Sequence, residues 1–317
     1  MKQIIPILLC LLLITGCASN KTVIQGFSMD ASYRIETSSV SAEQESEIKA
    51  YLNQIDSVFN AYQKDSAISK LNHDKTLTAV GSDENILLDL IQQTLPFCNE
   101  YFDISIRPVS KLWNFKSESP VLPDNQQISE ELASVSYHNI EITGNTILLK
   151  NNAEVEGGAV VKGFVCETVA EMLSDKEALI DIGGTVKTIG KNSIIGVKSP
   201  DYNGLLCSFT LPDGKSASTS GSYERSFELD GKLYHHILDP KTGYPVETDF
   251  VSVTVICDSA LQADILSTTL FAENSLRIPE SAEVIYVTKD NLVYVSDGIM
   301  NFKLLNTAYQ TTKLTKE

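Results

Sequence analysis

The sequence predicts an α+β protein in which mixed, mainly antiparallel strands are flanked by helices. Short alternating apolar segments meet at turns such as Asp230-Gly231, Gly144-Asn145 and Asp297-Gly298. That is how antiparallel hairpins read. Glu43–Asn60 and Asp83–Tyr101 carry apolar residues at i, i+3, i+4 instead, the period of an amphipathic helix. No internal repeat or low-complexity segment organises the chain.

The bulk numbers bound the possibilities. With 317 residues, 43% hydrophobic and 21% charged, the chain can bury a sizeable core as one large domain or two intimate lobes. Its net charge of -16 argues against a nucleic-acid partner, because phosphates need a basic surface.

Met1–Cys17 reads as a signal segment. Lys2 is followed by the apolar run Ile4–Ile14, too short to cross a bilayer as a helix. The run ends Ile14-Thr15-Gly16-Cys17, which resembles a bacterial lipoprotein signal; the alternative is a plain secretory signal. On the lipoprotein reading, residues 1–16 are removed and Cys17 carries lipid. Residues 17–24 are then a tether, 25–306 the folded domain and 307–317 a frayed tail. Cys98, Cys166, Cys207 and Cys257 form no metal-like spacing and read as buried small hydrophobes, with a disulfide left open.

Phe27–Glu36 alternates as a first strand. The helix Glu43–Asn60 is followed by a polar turn at Tyr62–Ser66 and a short helical piece ending at Leu71-Asn72. After Asp83–Tyr101 comes Phe102-Asp103, an aromatic beside a carboxylate. Pro108–Phe115 holds the only Trp, Trp113. Pro120–Gln127 reads as a loop, Ile128–Val135 as a short helix and Ile140–Leu148 as a hairpin.

The second half carries the chemistry. Gly157-Gly158 opens a helix through Leu173, with Lys162 one turn in. Glycines at a helix start allow phosphate to approach backbone N–H groups, but taken alone the segment reads first as an ordinary helix start with a surface lysine. Strands are expected at Leu179–Ile182, Ser193–Val197 and Leu205–Leu211, with a tight turn at Gly183-Gly184. Ser218–Pro245 then combines a Thr-Ser-Gly turn, a hairpin around Asp230-Gly231, the pair His235-His236 and a turn at Asp239–Gly243. Neighbouring strand residues face opposite ways, so one histidine faces a cleft and the other packs or meets solvent. After the strand Val251–Cys257, the helix Ser259–Phe271 places Asp264 and Thr268 one turn apart on one face. Both are hard oxygen ligands of the kind Mg²⁺ prefers, but taken alone the pair reads first as a local hydrogen bond. Glu283–Leu305 gives three short strands.

In this order the pieces resemble the ApbE family of FAD:protein FMN transferases. The likeness runs through Phe27-Ser28-Met29, FNAYQKDSAISKLN, YFDISIRPVSKLWNF, GGAVVKG, Gly183-Gly184, TSGSYER, HHILDPKTG and ADILSTTLF, nearly the whole mature chain. It implies two lobes with the site in the cleft between them. It further implies that FMN passes from FAD to a Thr or Ser hydroxyl of a target protein, releasing AMP. Asp264, Thr268 and the carbonyl near Ala159 are the implied Mg²⁺ ligands. Lys162 and the N–H groups at Gly158–Ala159 hold phosphate. Tyr62, Tyr101 and Phe102 stack on flavin or adenine, Asp103 and Glu156 accept hydrogen bonds, and Met29 and Ile237 line the pocket. His236 takes the acceptor proton, with Ser220 and Thr242 shaping the loop beside it.

The implied partners are FAD, an acceptor protein from a membrane redox complex, and a membrane reached through lipid on Cys17, facing the periplasm or exterior. Five positions depart from the family pattern: Asp30 for Gly, Glu100 for Gly, Glu156 for Asp, Thr185 for Asn and Lys241 for Arg. Two other readings stay open. One is an FAD pyrophosphatase giving FMN and AMP; the other is a lipoprotein that binds flavin without turnover.

Overall fold

Local signals set the long helices. In the computed structural model, which describes residues 21–115, 120–201 and 204–316, Ser41 caps the helix Ala42–Phe59 through a full capping box with Gln44. Glu43 and Glu45 lie in its first turn, where the helix dipole favours negative charge. Ile48, Leu52, Ile55 and Val58 form its buried stripe. The second helix, Ser82–Thr94, stops short of Tyr101 because Pro96 turns the chain into the 3₁₀ turn Leu95–Phe97. Cys17 and the signal segment lie outside the described residues.

Among the described residues the strands assemble into one nine-stranded sheet and three small ones. The large sheet runs in the spatial order Thr22–Ser28, Ala31–Thr37, Ala178–Ile182, Thr185–Ile189, Ser216–Gly221, Phe250–Cys257, Glu283–Thr288, Leu292–Ser296, Gln310–Leu314. Every pairing is antiparallel except the last. With seven α-helices among the described residues, the molecule is α+β, mainly antiparallel.

Several elements differ from the sequence reading. Phe27–Glu36 is a hairpin rather than one strand, turning at Met29-Asp30 with φ of 54° and 56°. Two consecutive positive φ values define the hairpin turn whose twist matches its strands, which is why a glycine suits position 30. The Thr-Ser-Gly segment is no turn. Ser216–Gly221 is the middle strand of the large sheet. Residues 307–317, expected to fray, supply the edge strand Gln310–Leu314.

The largest core packs the helices Ala42–Phe59, Ser82–Thr94 and Val161–Met172 against the strands Ala31–Thr37 and Ala178–Ile182. A second lies between the helix Ala260–Glu273 and the strands Phe250–Cys257 and Glu283–Thr288. A third seats the sheet formed by Ser193–Lys198, Leu205–Leu211 and Met300–Leu304. A fourth gathers Val109, Trp113, Ile128 and Leu238 under the histidine hairpin. Cys98, Cys166, Cys207 and Cys257 are buried as free thiols, and burial pushes the Cys98 and Cys207 thiols up to about 12.

Candidate active site

The site is built where two helices touch. Gly163, in the helix Val161–Met172, faces the start of the helix Ala260–Glu273; a Cβ there would sit 2.6 Å from the Ala260 carbonyl oxygen. Only glycine permits this approach. It brings the Gly163 N–H to 3.1 Å from Asp264 Oδ2. The other oxygen, Oδ1, accepts from Ser218 at 2.9 Å and from Thr185 at 3.3 Å. Asp264 is thus buried, 3% exposed, with its carboxylate oriented by three donors. Thr268 lies one turn on. Its hydroxyl donates to the Asp264 carbonyl and pairs with Ser220 at 3.0 Å.

Gly163 has a second effect. Its N–H would ordinarily take the Ala159 carbonyl, four residues back. Because it donates to Asp264, the Ala159 carbonyl accepts no hydrogen bond among the described residues. Asp264, Thr268 and Ala159 border the same cleft and together offer a carboxylate, a hydroxyl and a carbonyl. This all-oxygen set suits a hard divalent cation.

The histidines divide as strand alternation requires. His235 is buried, its ring edge on Phe271 and its Nε2 3.1 Å from the Val246 carbonyl. His236 lines the cleft. Its N–H donates to the Arg225 carbonyl at 3.0 Å, and its Nδ1 lies 3.3 Å from the same oxygen. A carbonyl only accepts, so Nδ1 carries the proton and Nε2 keeps a free lone pair. Burial first, then the charges of Arg225 and Lys162 and the neighbouring His235, hold the imidazole far below its ordinary 6.5, at about 3. His236 therefore rests uncharged at neutral pH with Nε2 open as an acceptor, and the nearby positive charges weaken it as a base until an anion offsets them.

The turn after the hairpin is pinned from below. The buried indole of Trp113 donates to the Gly243 carbonyl at 2.8 Å. Gly243 has φ of 73°, and a Cβ there would meet Ile128 at 2.7 Å. Thr242 sits within this turn, where its hydroxyl accepts from the Tyr244 N–H.

The structure brings Met29, Tyr62, Tyr101, Phe102, Asp103, Glu156, Ala159, Lys162, His236, Ile237, Asp264 and Thr268 to one cleft of about 850 Å³. Not all are free to act as expected. Asp103 spends its carboxylate inside the protein, Oδ1 on the Ser105 N–H and hydroxyl and Oδ2 on the Tyr137 N–H. Burial raises its pKa against those bonds. These bonds brace the wall and leave one acceptor site of the carboxylate for the cleft that it lines. Phe102 is 3% exposed and belongs to the main core, so it offers no open ring face for stacking. Tyr62 is 67% exposed with the Arg107 guanidinium over its ring at 5.7 Å. Tyr101 carries the Lys241 ammonium 4.4 Å from its ring centre. Glu156 accepts from Ser110 at 2.5 Å.

Two departures from the family pattern answer each other: Lys241 pairs with Glu100 at 2.6 Å on the cleft rim. A third, Thr185, is fully buried and holds Asp264. Sequence reasoning gave no role to Ser218, Thr185, Arg225, Lys198 or Asp181, although Thr185 stood out as a departure and Arg225 closes the motif TSGSYER. Ser218 was within reach, since it shares a strand face with Ser220. The others needed the tertiary fold. Asp181 is raised by burial, opposed by the Gly184 N–H and the charges of Lys198 and Lys162. Among the described residues Lys162, Lys198 and Arg225 have no carboxylate in ion-pair contact. These three cations share the cleft with Asp181, Glu156 and other carboxylates, and they are the groups there that can meet an anion.

The ApbE family model matches residues 29–287. The chain belongs to the ApbE family. Among its ApbE relatives, a FAD:protein FMN transferase of Klebsiella pneumoniae is 36% identical over 229 residues, covering 68% of this chain and 72% of the relative. The Escherichia coli K12 protein of the same name is 28% identical over 301 residues, covering 88% and 84%. The crystal structure of the ApbE protein of Thermotoga maritima superposes with a TM-score of 0.79 at 27% identity, covering 87% of this chain and 97% of that one.

Proposed function

We propose that this ApbE-family chain is a FAD:protein FMN transferase that moves FMN from FAD onto a Thr or Ser hydroxyl of a target protein and releases AMP. The observation that carries the reading is the pairing, in one cleft, of a neutral histidine base with an oxygen cage and unpaired cations. The acceptor hydroxyl loses its proton to His236 Nε2. Its oxygen then bonds to the FMN phosphorus, and the bond from that phosphorus to the bridging oxygen breaks. The bridging oxygen leaves with AMP.

Phosphoryl transfer asks the protein mostly for positioning and charge neutralisation. Lys162 and the N–H groups at Gly158–Ala159 supply part of it, and Tyr62 and Tyr101 offer ring faces at the mouth. Asp264, Thr268 and the Ala159 carbonyl would hold Mg²⁺, which when bound neutralises phosphate oxygens. Ser218, Thr185 and the Gly163 N–H keep Asp264 aimed for it. The Ile14-Thr15-Gly16-Cys17 segment supports lipid attachment at Cys17 and a site facing the periplasm or exterior. An acceptor on a membrane redox protein fits that position.

The test mixes purified protein with FAD and Mg²⁺, with and without a Thr-bearing acceptor peptide, and follows AMP release and peptide mass. A peptide that gains FMN supports the transferase. AMP in both tubes with an unchanged peptide would replace it with an FAD pyrophosphatase. FAD left intact while bound would replace it with a flavin-binding protein.

A further inference from the structure

We propose that Arg225 is a catalytic residue whose guanidinium grips the phosphate under attack, while its own backbone carbonyl sets the base beside it. The inference rests on the transfer reaction proposed above and assigns a group to its reacting phosphate. Two observations carry it.

The first is position. Arg225 immediately precedes the strand Ser226–Leu229, which pairs with Lys232–His235, so residue 225 falls opposite residue 236 across the hairpin. The Arg225 carbonyl accepts both the backbone N–H and the Nδ1–H of His236. The base is thereby held on the backbone unit from which the Arg225 side chain springs, which keeps the guanidinium within reach of it. A hydroxyl within reach of His236 Nε2 must have its target phosphorus close by, because the proton leaves as the oxygen–phosphorus bond forms. The side chain anchored at the same carbonyl is Arg225, and it lines the cleft.

The second is charge. Among the described residues no carboxylate pairs with Arg225, whereas Arg34, Arg107 and Arg277 each pair with a glutamate. An arginine left unpaired in an acidic protein's cleft suits a bidentate oxyanion. Lys162 lines the same cleft from the helix that follows Gly157-Gly158. The two cations then bracket a pyrophosphate: Lys162 from the glycine side, Arg225 from the histidine side. As the acceptor oxygen bonds to phosphorus, negative charge gathers on the phosphoryl oxygens and on the bridging oxygen that departs with AMP. A guanidinium on the attacked phosphate stabilises that charge without taking part in proton transfer.

The experiment compares the full-length protein with Arg225→Ala and Arg225→Lys. It measures FMN transfer to the Thr peptide, and separately the binding of ADP and of riboflavin. We expect transfer by Arg225→Ala to fall about 100-fold, with partial recovery on adding guanidinium ion. Arg225→Lys keeps the charge and loses less. ADP affinity falls in Arg225→Ala while riboflavin affinity is unchanged, because riboflavin has no phosphate. Unchanged ADP binding in Arg225→Ala would overturn the assignment. So would a matching loss of ADP and riboflavin binding, which reports a damaged site, and so would wild-type protein that does not bind ADP. If the wild type binds ADP but transfers no FMN, the transferase reading fails, and the ADP and riboflavin comparison still decides Arg225.

Discussion

Replacing Asp264 separates its work as a metal ligand from its work as a buried acceptor. Asp264→Ala removes the acceptor of the Gly163 N–H at the tightest contact between two helices. An orphaned buried donor costs about 1–3 kcal/mol. Ser218 and Thr185 lose less, because their hydroxyls already lie 2.9 Å apart and can satisfy each other. Asp264→Asn is milder. Its carbonyl can accept from Gly163, and its amide can donate to two hydroxyls that are free to rotate, so the expected loss is below about 1 kcal/mol. Both variants lose the negative charge, and both should lose FAD cleavage by about 100-fold or more.

Thermal melts with and without Mg²⁺ check the reasoning. A ligand at 100 times its Kd stabilises the folded state by about 2.7 kcal/mol, so the wild type should melt higher with Mg²⁺ and the two variants should not. Without Mg²⁺, Asp264→Asn should melt above Asp264→Ala. Mg²⁺ stabilisation or full FAD cleavage surviving in either variant would refute the metal assignment. Equal melting of the two variants without metal would refute the account of Gly163.

Three further outcomes are expected. His235 is held near 4 by burial, against 6.5 when unfolded, so the unfolded chain binds the extra proton first as pH falls. Its contribution is full above pH 6.5 and is lost toward pH 4, by about 3 kcal/mol, and denaturant titrations of His235→Gln should lack that share of the loss. Asp30→Gly should raise stability by about 0.5–1 kcal/mol in the same titrations, since Asp30 holds φ of 56° where glycine is unstrained. A double-mutant cycle on Glu100 and Lys241 should give a coupling below about 1 kcal/mol that fades with salt, because both ends of the pair are solvent-exposed.

Much of this was legible in the sequence, for physical reasons that differ by element. The helix Ala42–Phe59 announces itself through a cap, an acidic first turn and a buried stripe. The histidine hairpin follows from Asp230-Gly231, both at positive φ. Alternation alone leaves His235 and His236 as two candidates, because it fixes opposite faces without saying which meets the cleft, and it is the resemblance at HHILDPKTG that points to His236. Ser216–Gly221 stayed hidden because Ser-Ala-Ser-Thr-Ser-Gly has no apolar alternation. Its strand is defined by partners on both sides and by hydroxyls that bond to the helix above. Asp103 and Phe102 both border the cleft, but nothing local shows that the Tyr137 N–H reaches back to one and that the core closes over the other.

The last strand has a consequence for how the molecule stays dispersed. Leu292–Ser296 carries Val293 and Val295 and would otherwise end the sheet with a row of bare amide and carbonyl groups. Gln310–Leu314 covers that row and turns a polar, mostly exposed strip carrying Lys313 to the outside. A chain stopped at residue 306 would keep every residue of the cleft yet offer its neighbours a ready template for strand pairing. Its shortfall would show as clumping rather than as lost chemistry.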